Sequence, residues 1–163
     1  MIDMVLRLAK ILLLAMLAAL FVGILNGSPR QVDFSVLQEE LQGAMDLSGM
    51  KQADAQLLRR LYGLNGGELK SWVLWTAEDN MAVEELLLAE CASTKQAELV
   101  RQAAEKRVDT QKQSFEGYGP EQVQLLNDSV IQVEDTYVLF AVTDQAREVK
   151  DVFLKALYPG ILP

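Results

Sequence analysis

Histidine is absent from the 163-residue sequence, and cysteine occurs once, as Cys91. Without histidine the chain lacks the usual general base at neutral pH and the commonest metal ligand. Ser/His/Asp and Cys/His nucleophile systems are therefore excluded by composition, and a single cysteine excludes cysteine-based metal sites and an intramolecular disulfide. The sequence also contains no phosphate-binding or dinucleotide-binding glycine motif. We expect a non-enzymatic protein with no catalytic residue, no metal site and no cofactor.

Carboxylates are plentiful, but their spacing does not favour catalysis. They form the adjacent pairs Glu39-Glu40, Glu78-Asp79, Glu84-Glu85 and Glu134-Asp135. Neighbouring side chains of a strand point to opposite faces, so we expect these pairs to be solvated surface groups. Asp144, Glu148 and Asp151 lie at helical spacing and leave a weak hard-cation site open, although the spacing of a dedicated calcium loop is missing.

The charge is strongly acidic once the N-terminal segment is set aside. Of 23 acidic and 15 basic residues, only Asp3, Arg7 and Lys10 precede residue 26, which leaves 22 acidic and 13 basic residues and a net charge of −9. Such a domain is repelled by nucleic acid phosphates and by anionic lipid head groups. We therefore predict that it does not bind nucleic acid.

Residues 11–25 form an uncharged apolar run that follows Arg7 and Lys10. Basic residues before such a run predict a cytoplasmic N-terminus, with the rest of the chain outside the membrane. We interpret residues 1–27 as a signal anchor that holds the protein to the cytoplasmic membrane in a single pass. A cleaved signal peptide, which would give a secreted protein, stays open, although no A-x-A cleavage motif occurs. A buried soluble helix is the third alternative.

The remaining chain predicts one α+β domain over residues 34–163, after a linker at 28–33. Apolar periodicity and turn residues predict two helices, at 34–45 and 51–62, each with an amphipathic pattern. Two strand–strand–helix units follow, with strands at 70–76, 83–91, 130–134 and 137–142 and helices starting near Ser93 and Asp144. This order favours a four-stranded, mainly antiparallel sheet with helices on one face.

Two features extend beyond core building. Phe115, Tyr118 and Glu121 lie where a helix ends at Gly117-Tyr118-Gly119-Pro120, and Trp75 shares a strand with Trp72 on opposite faces. Exposed aromatic side chains are frequent anchors of protein partners. We name Trp75, Phe115, Tyr118 and Glu121 as candidate partner-binding residues, while a simple helix cap and coverage by the N-terminal helices remain the ordinary alternatives.

Four stretches resemble a family of bacterial proteins, the domain of unknown function 4358 family. They are Asp54-x-x-x-Leu58-x-x-Leu61-Tyr62-Gly63-Leu64, Met81-x-x-Glu84-Glu85, Gln111 to Tyr118, and Tyr137-Val138-Leu139-Phe140. The likeness covers about residues 46–157. It implies a single domain exported behind a signal or lipoprotein signal in Gram-positive bacteria, although this chain has no cysteine at the end of the apolar run. It implies no activity and no catalytic residue.

Together these observations predict a non-catalytic, membrane-tethered extracytoplasmic domain that binds an envelope protein or a peptide. The alternatives are a small-ligand or cation sensor in the same location and an enzyme that uses carboxylates.

Overall fold

The computed structural model describes residue 10, residues 12–17 and residues 31–159. Residues 10 and 12–17 are helical and exposed. Most of the predicted anchor at 1–27, half of the linker at 28–33 and the last four residues of the predicted domain lie outside the described residues. None of the helices described is long and apolar enough to span a membrane.

Residues 31–159 fold as an α+β domain, as predicted. The helices are α1 (Phe34–Gly43), α2 (Ala55–Tyr62), α3 (Thr94–Phe115), α4 (Pro120–Asn127) and α5 (Ala146–Leu157), and a short 3-10 turn covers Gly66–Glu68. The strands are β1 (Met50–Gln52), β2 (Ser71–Ala77), β3 (Glu85–Glu90), β4 (Val130–Glu134) and β5 (Tyr137–Val142).

Helix ends follow local capping chemistry. The Ser93 hydroxyl accepts a hydrogen bond from the Gln96 N–H at 3.2 Å, which confirms the predicted start of α3. Helix α1 begins at Phe34, as predicted, and the Asp33 carboxylate caps it by accepting from the Ser35 N–H at 2.9 Å. Gly63 ends α2 with φ +69°, a left-handed conformation that suits glycine.

The five strands form one antiparallel sheet in the order β1-β2-β3-β5-β4. The prediction of four strands was wrong, because β1 was included in the helix expected at 51–62. The Asp54 carboxylate accepts from the Leu57 N–H at 2.8 Å and starts α2 only after residue 54. This leaves Met50–Gln52 extended, where they pair with Trp75 to Ala77 at the sheet edge.

The helices cover both faces of the sheet, which corrects the prediction of helices on one face. Leu87 and Ala89 belong to a core with residues of α2, α3 and α4. Leu86 and Leu88, which point the other way, belong to a second core with residues of α1 and α5. The continuous apolar run of β3 is the pattern of a strand that is buried on both sides.

Helix α4 was not predicted. The stop at Gly117-Tyr118-Gly119-Pro120 ends α3 as expected, but Pro120 also begins a new helix, a position where its missing N–H costs nothing. Leu126 of α4 is buried against the same core as α3.

Candidate functional site

A buried carboxylate, Glu85, lies at the beginning of central strand β3 and faces the helical layer of α2, α3 and α4. The residue is only 1% exposed. Its oxygens accept hydrogen bonds from the Tyr62 hydroxyl of α2 and, at 3.1 Å, from the Gln111 amide of α3. The Arg107 guanidinium of α3 donates through Nη2 at 2.9 Å and through Nε at 3.1 Å to the same oxygen. We call Glu85, Tyr62, Arg107 and Gln111 the Glu85 cluster.

The four stretches that carry the family resemblance meet at this cluster. The first supplies Tyr62, the second Glu85 and the third Gln111. The fourth supplies Phe140, whose ring packs edge-on against Tyr62 with centroids 6.3 Å apart. Four segments that are far apart in sequence therefore contact one another in the folded domain.

The electrostatics of the Glu85 cluster suit a fixed structural contact. Burial, and then the adjacent Glu85 charge, raise the pKa of Tyr62 well above its ordinary value, so the phenol stays protonated and remains a donor. Arg107 supplies the opposite charge that a buried carboxylate requires. With four donor groups bound and almost no solvent contact, Glu85 ties α2 and α3 to β3 and offers no open position to a reactant.

The sequence interpretation missed this cluster. Glu84 and Glu85 do point to different environments. The prediction that Glu85 is solvated was wrong, because the residue is buried. A clue was present: Arg107, Gln111 and Phe115 follow one another at four-residue spacing on the inward side of α3, next to its alanine and valine stripe.

Directly after these inward-facing residues, α3 ends and a turn connects it to α4. We call Phe115–Glu121 the α3–α4 corner. Phe115 is buried, and the ring of Tyr118 packs on it with centroids 5.6 Å apart, while Tyr118 itself is 60% exposed. The turn uses Gly117 at φ +88°, and the Gly119 N–H donates to the Phe115 carbonyl at 3.0 Å.

The corner is tightly packed at its second glycine. A Cβ on Gly119 would lie 2.7 Å from Phe115 Cδ1 and 2.9 Å from Gln122 Oε1, closer than atoms can approach. A side chain at position 119 would therefore force Phe115 and Gln122 to move. The Tyr118 ring contacts Phe115 and is otherwise largely exposed to solvent.

The candidate partner-binding residues occupy two separate places. Phe115, Tyr118 and Glu121 lie in the corner, with Glu121 exposed in the first turn of α4. Trp75 is half-buried on the opposite side of the sheet, beside the core of α1 and α5. Its indole Nε1 is buried and has no hydrogen-bond partner among the described residues. Trp75 therefore does not extend the surface formed by the corner.

One end of the sheet carries an acidic cleft of about 580 Å³. Its lining includes the carboxylates Asp46, Asp79, Glu84 and Asp144. In the part of the chain that the structure describes, no three Asp, Glu, Cys or His residues are grouped so that they could hold a metal ion. Asp144, Glu148 and Asp151, at which the sequence left a weak hard-cation site open, therefore do not form such a group.

The family model for the Domain of unknown function (DUF4358) matches residues 43–143. The chain belongs to this family. The DUF4358 match ends earlier than the expected limit of 157, so it covers all five strands and α2, α3 and α4 but leaves out α5 and nearly all of α1. The Glu85 cluster and the α3–α4 corner both lie inside it. No curated protein and no solved structure matches the chain.

Proposed function

We propose that this DUF4358 protein is a non-catalytic protein-binding module whose α3–α4 corner contacts the partner. The observation that carries the proposal is the exposed Tyr118 ring, supported from below by buried Phe115. Tyrosine is among the residues that contribute most to binding energy at protein interfaces. A tyrosine side chain has only two χ angles and loses little conformational entropy on binding, which favours affinity.

The charge around the corner indicates the chemistry of the partner. Residues 113–128 contain Glu116, Glu121 and Asp128 and no lysine or arginine. Complementary charge speeds association and disfavours wrong partners. The proposed partner therefore presents a basic surface, with room for one aromatic ring.

The proposed location is the outer side of the cytoplasmic membrane, with residues 1–27 as the anchor. Support comes from the apolar run at 11–25 and from Arg7 and Lys10 before it. Protease treatment of intact protoplasts tests this, followed by mass spectrometry of the membrane fraction. Removal of residues 28–163 with retention of the N-terminal segment supports the proposal, whereas protection of the domain until lysis contradicts it.

The binding role is tested with Tyr118→Ala in the full chain. Loss of a central aromatic contact costs about 2 kcal/mol or more, which is about 30-fold in affinity. Leu99→Ala is the matched control, because Leu99 is an apolar side chain of α3 that is 54% exposed and lies outside the corner.

The measurement is quantitative co-purification from cells after cross-linking, together with the melting temperature of each variant. We expect a specific protein that is retained by the wild type and by Leu99→Ala and is lost with Tyr118→Ala, at unchanged stability. If every co-purifying protein is retained equally by the two variants, the corner is not the binding surface.

A further inference from the structure

Strand β4 leaves one edge of the sheet open. It pairs with β5 alone among the described strands and forms the end of the order β1-β2-β3-β5-β4. All five of its residues are half-buried, whereas all six residues of β5 are buried. Helices α3 and α5 both contact β4, so its faces are covered and the exposure arises at the outer edge.

The pairing register shows which backbone groups face outward. The two-residue turn Asp135-Thr136 closes at the pair Glu134 and Tyr137. In an antiparallel pair, hydrogen-bonded and non-bonded positions alternate along each strand. Glu134, Gln132 and Val130 therefore bond to β5, and the N–H and C=O groups of Ile131 and Val133 point away from the sheet. Within residues 31–159, neither residue makes a backbone hydrogen bond to a loop or helix.

The opposite edge is protected in a way that β4 is not. β1 has only three residues and carries Lys51 at its centre. Short edge strands and edge lysines are the usual features that prevent a further strand from adding. β4 is longer and contains no lysine, proline or glycine, and its outward-bonding positions are the β-branched Ile131 and Val133.

We propose that β4 binds an extended, basic segment of a partner protein, which adds to the sheet as a sixth strand. Ile131 and Val133 supply the main-chain hydrogen bonds. The ends of the edge are acidic, with Asp128 before β4, Glu134 as its last residue and Asp135 after it, so lysine or arginine at both ends of the incoming segment completes the contact.

The same charges argue against a second copy of this chain as the added strand. Antiparallel pairing of β4 with β4 about Gln132 would place Asp135 of each copy opposite Ser129 of the other, diagonally beside Asp128. Like charges on adjacent strands are destabilising. This surface goes beyond the α3–α4 corner, and strand addition does not require Tyr118.

The test is amide hydrogen exchange of the full chain in mild detergent, with the peptide Lys-Thr-Val-Thr-Val-Thr-Lys as the probe. In the free protein we expect fast exchange at Ile131 and Val133 and slow exchange at Gln132. Saturating peptide should slow exchange at Ile131 and Val133 about tenfold or more, because both amides become hydrogen-bonded. The acidic peptide Glu-Thr-Val-Thr-Val-Thr-Glu should have no such effect.

Val133→Pro and Val133→Thr form the matched pair of variants. Proline removes the outward N–H and is tolerated at an edge position, while threonine keeps the N–H and the branched shape. We expect the proline variant to keep its fold, judged by slow exchange at Gln132, and to lose peptide protection at Ile131, while the threonine variant behaves as wild type.

Three results would overturn the proposal. The first is unchanged exchange with the basic peptide, or equal protection by both peptides. The second is protection of Ile131 and Val133 in the free, dilute chain, which means that the chain covers its own edge. The third is protection that rises with protein concentration alone, which assigns the edge to a second copy.

Discussion

The substitution Glu85→Gln tests the Glu85 cluster most directly. It keeps the shape of the side chain and removes the charge. Arg107 then remains beside a neutral amide with its side chain only 18% exposed. The new amide NH₂ also turns a donor toward the donors of Arg107 and Gln111, so some of the four contacts to Glu85 must break.

Breaking a buried ion pair from one side costs about 3–5 kcal/mol of folding free energy, since one charge is left without its partner. Arg107 retains some contact with solvent, so we expect a loss near the lower limit, about 3 kcal/mol. Small domains are stable by only about 5–15 kcal/mol, so this loss should lower the midpoint of urea unfolding clearly.

The assay is urea unfolding followed by circular dichroism, for Glu85→Gln and for a double-mutant cycle of Glu85→Leu, Arg107→Leu and Glu85→Leu/Arg107→Leu. The double variant should lose less than the two single variants together, by about 2 kcal/mol, because no unpaired charge remains. Glu98→Gln is the control: the substitution is the same, but Glu98 forms an exposed ion pair with Arg101, and stability should hardly change.

A loss below about 1 kcal/mol for Glu85→Gln would refute this account, because that is the range of ordinary surface changes. Strict additivity of the single variants would do the same, since it would mean that Glu85 and Arg107 do not depend on each other.

Three further predictions concern packing and titration. Gly119→Ala should destabilise the domain by about 1–3 kcal/mol in urea unfolding, because the new Cβ clashes with Phe115. Gly43→Ala is the control: its Cβ would have no neighbour within 4 Å, and the substitution should be neutral or stabilising in the same titration. Trp75→Phe should lower the free energy of unfolding by less than about 1 kcal/mol, because it removes a buried N–H that has no partner, a group whose burial costs about 1–3 kcal/mol. A larger loss in unfolding experiments would show that the indole N–H is satisfied. Burial raises the pKa of Cys91 to about 11, so its thiol should resist thiol reagents at pH 8 until the chain unfolds. The folded state favours the neutral thiol, so the contribution of Cys91 to stability should be complete below about pH 9 and lost as the pH rises to about 11. Unfolding midpoints measured across this pH range will check this.

Most helices and strands could be predicted from local sequence, because their determinants act over a few residues. The hairpin strands 130–134 and 137–142 match the structure, and α3 starts next to Ser93 as predicted. Where two local patterns competed, prediction failed: the apolar pattern around 51–62 favoured one helix, but the Asp54 cap divides it into β1 and α2.

The candidate site was predictable in part. Its exposed member, Tyr118, could be identified from glycines on either side of an aromatic residue, since that pattern implies a turn. The Glu85 cluster could not be identified in this way, because a glutamate in sequence looks the same whether water or an arginine surrounds it.

By itself, the sequence determined most of the helices and strands, the acidic charge and the lack of histidine and disulfide chemistry, since each depends on composition or on neighbouring residues. Only the tertiary structure decided that helices cover both faces of the sheet, that β4 forms an open edge, and that Tyr62, Glu85, Arg107 and Gln111 meet. Those outcomes depend on which distant segments pack together. The free energy of burying Glu85 is acceptable only where three donor side chains, brought by α2 and α3, arrive at the same place.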